Sequence, residues 1–588
     1  MNVIIGIDFG TARSGWAWNI KNGDRREDIQ DDLRTIEVNT LWADIPPGYP
    51  KTPTVLFLDT AGDWFFGGTA LKKHNNKEEG IFFDRIKMDL YHPDSNRKRG
   101  IELHDDGDMG PYRVYNGKRY NTVDLIAKFL EFLKNDVVER EIKSRNQYLT
   151  TLDIQWILTV PAGATDDQKA IMRESARRAG LISREEAAQE KLLFVFEPNA
   201  AAIACAFDDK LDDIDKILKN KNVVVFDAGG GTIDISAIKY SDNKGIHTFT
   251  GVETECAFAG STYLDIEFEK FLDDLFGKEK MASFRIERLS EYNAIMDEWV
   301  KEKESYTVTT DKDSALSIRI ADIRDYFIEK NWDFSQIQEN NRNIIQLGGR
   351  KLSLKEEEYE KISLPVWETA IEPLEKILLD MRQYGHDIDL LIFAGGFSSS
   401  YHLREFVKSK FQVIYNRLFN KSLNNKFFEL NSHRMSQAIL AGSVVYGNDP
   451  DNLMPERVLK MCYGIECYAE WKGIDNYFSV IAERGRKFLI RDKVTEDYRP
   501  HHPEQTSVSI KVFCTPRTDA ITTNGLSLMR EIEIKSPDTR KGKDRKIFVT
   551  FEFGKSEIYV TVLDEESGNT ERFPIDCKWT KNREILID

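Results

Sequence analysis

The chain has 588 residues, 41% hydrophobic and 31% charged, a balance that supports a folded globular protein and disfavours long disorder. Its net charge of −16 argues against a broad electrostatic footprint on nucleic acid, and six cysteines without a CxxC pair are too sparse for a disulfide framework. No apolar run reaches the ~18 residues of a membrane span, and the opening VIIGID reads as a strand rather than a secretory leader, which predicts a reduced, cytoplasmic protein with no membrane contact.

Val3 to Asp8 is an apolar run of strand length. After the turn Phe9-Gly10-Thr11-Ala12, Trp16 and Trp18 mark the second strand of a hairpin. Residues 41–120 read as mixed and loop-rich, punctuated by Pro46-Pro47-Gly48 and Asp106-Gly107-Asp108. Within 121–145, Leu125, Phe129, Phe132 and Leu133 fall on one helical face. Ile154 to Val160 is a buried strand ended by Pro161, and Thr165 with Gln168 forms a capping box that opens the next helix. Leu192–Phe196 and Val223–Phe226 are further strand cores, and the acidic run Asp208 to Asp215 reads as a solvated linker. Helices follow from Leu264, over 285–303 and over 356–381, before the strand Leu390–Phe393. Residues 448–456 read as a linker, after which the period changes to two. Ser507–Phe513, Leu526–Ile534, Ile547–Phe553 and Ile558–Val562 are the predicted strands there. An α/β portion followed by an all-β portion is the expected organisation.

Three glycine-bearing turns carry the chemistry. Gly6-Ile7-Asp8-Phe9-Gly10-Thr11 places a carboxylate at the end of a buried strand and then a glycine that lets the backbone approach an anion. Phe226-Asp227-Ala228-Gly229-Gly230-Gly231-Thr232-Ile233-Asp234 repeats the design about 220 residues later. Two such hairpins enclose a polyphosphate from both sides, with Asp8 and Asp227 facing a hydrated magnesium ion. In the third, Phe393-Ala394-Gly395-Gly396-Phe397-Ser398, a strand runs through a double glycine into a helix and leaves room for a flat base and its ribose.

Together the three turns resemble the phosphate-1, phosphate-2 and adenosine motifs of the actin, sugar-kinase and heat-shock ATPase superfamily. Leu158-Thr159-Val160-Pro161-Ala162 and Glu197-Pro198-Asn199-Ala200-Ala201-Ala202 resemble segments of the seventy-kilodalton heat-shock chaperones, as does the last pair of β strands. The motif Gly260-Ser261-Thr262-Tyr263-Leu264-Asp265 and the long insertions resemble a divergent branch of that family.

The resemblance implies an actin-like, ribonuclease H-like two-lobed ATPase over 1–447 (lobes at about 1–220 and 221–447). A linker over 448–456 and a substrate-binding-like β-sandwich over 457–588 follow, with no segment left for a helical lid. It also implies site roles. Asp8 and Asp227 orient magnesium-bound water; Gly10, Thr11, Ala12, Arg13, Gly229, Gly230, Gly231 and Thr232 form the phosphate turns. Glu197 holds the attacking water, and Asp234 supports the second turn. Gly395, Gly396, Phe397 and Ser398 line the adenosine side, with Gly260 and Lys303 opposite. Lys87 is the catalytic lysine, with Arg85 as its competitor. ATP or ADP with Mg2+ is the implied cofactor, an unfolded peptide or protein the implied client, and a co-chaperone or exchange factor a further partner.

Departures from the family pattern are Ala12 and Arg13 in the first turn, Glu304 where an arginine stacks on adenine, and Lys169 in place of a signalling arginine. They imply slow or altered turnover and weak coupling between domains. Three function classes remain: an ATP-driven chaperone, a nucleotide-gated scaffold with little turnover, and a small-molecule kinase, the last disfavoured by Glu197 and the β portion. The cluster Arg540, Lys541, Lys543, Arg545 and Lys546 reads as an exposed connection, and His501-His502 as a solvated loop.

Overall fold

The computed structural model describes all residues except 1, 22–34, 99–100, 106–109, 146–153, 184–189, 208–219, 244–245, 307–314, 347, 422–426, 430–431, 460, 470–471, 556 and 576–588. The acidic run Asp208 to Asp215 therefore lies outside the described residues.

The opening apolar run forms β1 (Asn2–Phe9), which turns into the antiparallel β2 (Arg13–Lys21). Short strands β3 (Glu37–Val38) and β4 (Thr52–Pro53) pair with β2. On the other side β5 (Ile154–Val160) runs parallel to β1, and β6 (Leu192–Phe196) parallel to β5. A second sheet repeats this plan. β7 (Asn222–Ala228) forms a hairpin with β8 (Ile233–Asn243), and β9 (Ile246–Ala257) lies beyond it. β10 (Leu390–Ala394) runs parallel to β7, and β11 (Phe427–Glu429) parallel to β10. Helices cover these sheets, so the parallel strands are continuous apolar runs buried along their length.

The covering helices used below are α1 (Ile86–Tyr91), α2 (Thr122–Asn135), α3 (Asp166–Arg178), α4 (Glu197–Ala206), α5 (Ser261–Phe276), α6 (Leu289–Ser305), α7 (Glu356–Gln383), α8 (Tyr401–Phe419) and α9 (Ser432–Asn448). Leu125, Phe129 and Leu133 of α2 are buried as the periodicity requires. Thr165 and Gln168 make both bonds of the capping box at the start of α3.

Three expectations change. Residues 41–120 are more regular than a loop-rich reading: Leu56–Asp59 pairs with Trp64–Phe66 and Gly80–Phe83, and Pro111–Tyr115 with Leu103–Asp105 and Lys118–Asn121. Strands of three to five residues are too short to print a period. Second, α9, expected to belong with the second sheet, packs on the first sheet and on α4. Its small residues allow the approach: a Cβ on Gly442 would strike the backbone of Ala200, and one on Gly447 would meet Ile4 and Ile157. Third, the segment predicted as a linker is folded onto its neighbours. Asn448 is buried and bonds Asn19 and the Val444 carbonyl, Pro450–Leu453 is a helical turn, and Glu456–Val458 pairs with Lys487–Leu489.

Past this segment, β12 (Cys462–Ala469), β13 (Ile474–Ala482), β15 (Ser507–Thr515) and β16 (Ser527–Lys535) form one antiparallel sheet in the order β13-β12-β15-β16. β14 (Lys493–Tyr498), β17 (Ile547–Phe553), β18 (Ile558–Asp564) and β19 (Thr570–Pro574) form another in the order β14-β17-β18-β19. Ile465, Val512 and Ile532 of the first sheet share one core with Val549, Phe551 and Val560 of the second. The basic cluster is not a free cationic patch. Arg545 is buried on the carbonyls of Gly542, Ser536 and Pro503, Arg540 pairs with Asp538, and Lys541 with Glu566.

These sheets abut α3, a covering helix of the β1 sheet, and the residues before β6. Arg173 of α3 meets Glu557 at 2.6 Å with both side chains nearly buried, Tyr463 bonds Asp166, and the Lys555 N–H donates to Glu190 at 3.3 Å. Lys169 pairs with Asp166 at 3.4 Å, and the cation that pairs with Glu557 is Arg173, one helical turn further on.

Candidate functional site

The two hairpin turns face each other. Gly230 lies against Ala12, where an added Cβ would come within 2.6 Å, and a Cβ on Gly231 would strike the Thr11 hydroxyl. Gly260, the residue before α5, packs on the second turn so closely that a Cβ would meet the Gly230 carbonyl at 2.5 Å. The carbonyls of Gly229, Gly230 and Gly231 accept from Ser261, Thr262 and Gly260. That arrangement points the other edge of the turn inward. Among the described residues, the N–H groups of Thr11, Ala12, Gly230, Gly231 and Thr232 donate to no protein acceptor, which is the donor array an anion needs. Gly10 and Gly229 differ, because their N–H groups are taken by the Ser14 hydroxyl at 3.1 Å and the Thr232 carbonyl at 2.9 Å.

Asp8 and Asp227 end the central strands of their sheets, and both are buried. Their surroundings differ. One Asp8 oxygen accepts from Thr159 at 2.9 Å and the other pairs with Lys51. Burial works to raise the Asp8 pKa, but the Lys51 ammonium, helped by Lys87 and the Thr159 hydroxyl, outweighs it, and the carboxyl is held below its usual value. Asp227 has a buried Oδ1 with no partner. Burial, then the charges of Glu197, Asp234 and Asp8, push it well above the ordinary carboxylate range.

Glu197, first residue of α4, pairs with Lys87 of α1 at 2.7 Å, and both are buried. Burial raises Glu197 to about 7, with Asp8 and Asp234 adding to the rise and Lys87 opposing it. Asp234 accepts from the Ala162 N–H at 2.7 Å and so ties the second hairpin to the Pro161 turn of the first sheet. Lys87, rather than Arg85, reaches this cluster; Arg85 caps α1 in the left-handed region and lies beside Asp84. The Tyr91 hydroxyl, raised by burial and by Glu197 and Asp234, closes the same side.

The third turn touches the second. Gly395 has φ +82°, and a Cβ there would strike Asp227 and the Ala228 carbonyl, so only glycine lets the strands converge. Gly396 faces open space, while Phe397 and Ser398 are buried, Ser398 bonding the Phe226 carbonyl at 3.5 Å. Lys303 is buried on Asp265 and the Ser261 carbonyl, and Glu304 pairs with Arg13 at 3.6 Å between the two halves. Residues 8, 87, 197, 227 and 234 are therefore one cluster. Ser398 and Lys303 brace its frame.

Sequence reasoning missed Lys51, Ser14 and Thr159. The available signal for Lys51 was Gly15, because a glycine inside a strand marks another backbone passing close by. A Cβ on Gly15 would meet the Pro50 carbonyl at 2.5 Å and Lys51 Cγ at 3.1 Å.

These residues suit a polyphosphate with a divalent cation. Four buried carboxylates face two ammonium groups, an excess of negative charge, and the orphaned Asp227 oxygen lacks the partner that a buried carboxylate requires. Twin sheets with matching Asp–glycine hairpins and a third glycine turn define an actin-like ATPase architecture. A family model described as Hsp70 protein matches residues 95–584, and the chain belongs to that family.

The chain is similar to human Heat shock 70 kDa protein 12B, 23% identical over 98% of this chain and 91% of that protein. Mouse Heat shock 70 kDa protein 12A is 21% identical over the same shares. Chaperone protein dnaK of Cyanidioschyzon merolae is 24% identical over 98% of this chain and 82% of its own. The resemblance to 12A and 12B extends over nearly the whole chain, at low identity.

Proposed function

We propose that the cleft between the two turns binds ATP with Mg2+ and hydrolyses it slowly, and that the nucleotide state modulates the binding of a peptide or protein client by the C-terminal β-sandwich. The observation that carries this reading is the partnerless Asp227 oxygen beside two glycine turns whose N–H groups are free to donate. The turns bind phosphate oxygens, and Asp8 and Asp227 hold the metal's water shell. Bound Mg2+ supplies charge neutralisation at the phosphates. Glu197, raised to about 7, accepts a hydrogen bond from the attacking water, and Lys87 keeps that carboxylate in place. Catalysis of this kind rests on position and electrostatics.

The shared core of the two C-terminal sheets supports the sandwich, and exposed Tyr468, Val480 and Ile521 supply apolar surface for an extended client. Arg173–Glu557 and Tyr463–Asp166 give that region a contact through which the first lobe is felt. Calorimetry with ATP, ADP and GTP tests the cleft, and heat with none of them refutes it. Phosphate release in Asp227→Ala is expected to fall at least about tenfold, ~1.4 kcal/mol in barrier.

A second reading, a nucleotide-gated scaffold with little turnover, draws on the first turn, where Gly10 is committed to Ser14 and Asp8 to Lys51. Client affinity measured with ATP and with ADP separates the readings from a passive binder: equal values in both states exclude nucleotide gating.

A further inference from the structure

We propose that Lys51 is a phosphate-contacting residue, a resident cation that holds Asp8 at the first turn and gives nucleotide binding a component independent of divalent metal. The proposal rests on the nucleotide reading of this cleft and adds a residue to it. Asp8 and Gly15 are direct cross-strand partners in the first hairpin, so their side-chain positions share one face. Gly15 leaves its place on that face vacant, and the Pro50–Lys51 segment lies across it, with Lys51 reaching Asp8.

The segment is anchored where a binding residue needs to be. β4 begins at the next residue and pairs with Arg13 and Ser14. The Thr54 N–H donates to the Ala12 carbonyl at 2.9 Å, directly behind the turn, and its hydroxyl bonds Ser14 at 2.7 Å. The Lys51 ammonium has three donors, and Asp8 takes one.

Two lysines reach this cluster, and they differ. Lys87 is 4% exposed and pairs with Glu197, whereas Lys51 is 14% exposed and feels Asp227 and Glu197 as well as Asp8. A polyphosphate that enters between the turns meets four carboxylates, and of the two cations beside them Lys51 is the more exposed. It bridges Asp8 to a phosphate oxygen without leaving its anchor.

The test is calorimetric titration of the full chain with ATP, in excess Mg2+ and in excess EDTA, for wild type and Lys51→Met. Wild type is expected to keep its affinity in EDTA to within about tenfold of the Mg2+ value, as a charge-assisted contact to phosphate allows. Lys51→Met is expected to lose at least about tenfold more in EDTA than in Mg2+. A wild-type loss in EDTA of about a thousandfold or more overturns the assignment without any variant, so a poorly folding Lys51→Met leaves the question decidable. Equal EDTA affinities for wild type and Lys51→Met overturn it too. Absence of ATP binding to wild type in Mg2+ refutes the nucleotide reading itself, whereas tight binding confined to Mg2+ refutes Lys51 alone.

Discussion

The two hairpins have one topology and opposite electrostatics. In the first, the aspartate at the strand end faces a glycine across the ladder, Asp8 opposite Gly15, and the vacancy admits Lys51. In the second, Asp227 faces Asp234. There the cross-strand partner adds a charge of the same sign, and Asp227 keeps an oxygen without a partner. A duplicated backbone thus carries an unduplicated charge pattern: one turn brings its own cation, and the other leaves a buried carboxylate oxygen without a partner.

The strongest way to break this contrast is to remove each aspartate in turn. Asp8→Ala takes away the hydrogen-bonded partner of Lys51, and loss of one partner from a buried pair costs about 3–5 kcal/mol. Urea unfolding of the nucleotide-free protein should show that loss. A cost below about 1 kcal/mol would mean that Lys51 and Asp8 are an ordinary surface pair.

The next effect is in pH. Asp8 has a lowered pKa, so its stabilisation is present above its ordinary 3.8 and is lost as pH falls through the lowered value. Glu197 is raised from 4.5 to about 7, so folding is favoured below 4.5 and loses stability as pH climbs through that window. The drop amounts to ~3 kcal/mol at most. Unfolding measured across the window should show a decline that Glu197→Gln flattens, and an unchanged slope in that variant would place the titrating group elsewhere.

Much of this was legible in the sequence, for a physical reason. Buried parallel strands such as Ile154–Val160 are continuous apolar runs, and the Thr165–Gln168 cap is written in adjacent residues. The Asp–glycine turns announce themselves because an anion site needs backbone freedom at fixed spacing. What stayed hidden depends on contacts distant in the chain. Lys51 lies 43 residues from Asp8, and the spacing of a lysine says nothing about which strand it crosses. The return of α9 to the first sheet hangs on Gly442 and Gly447, which look like ordinary helix weaknesses until the opposing backbone is known. Lys303 read as a ligand-facing lysine, yet Asp265 and the Ser261 carbonyl hold it to α5.

Asp227→Asn has a smaller effect, of opposite sign to Asp8→Ala. The amide keeps the shape, removes a carboxyl whose ionisation its neighbours oppose and brings N–H donors for Asp234 or Glu197. The nucleotide-free protein should gain about 1 kcal/mol. A loss as large as that of Asp8→Ala would show that the two turns are electrostatically alike after all.

The smallest effect belongs to the pair that spans the two halves, Arg13 with Glu304. At 3.6 Å, with side chains 36% and 49% exposed, it is a surface ion pair worth ~0–1 kcal/mol. Glu304→Ala should therefore leave unfolding stability within about 0.5 kcal/mol of wild type. Its consequence for binding should be larger than its consequence for folding. Arg13 begins β2 beside the free N–H groups of Thr11 and Ala12, and without Glu304 its guanidinium is released toward the phosphates. ATP affinity should rise about threefold, with the gain shrinking as salt is added. Calorimetry at two ionic strengths separates this from the alternative. If stability and affinity fall together, Arg13–Glu304 is a strut between the halves, and the first turn would then depend on the second for its geometry while supplying its own cation.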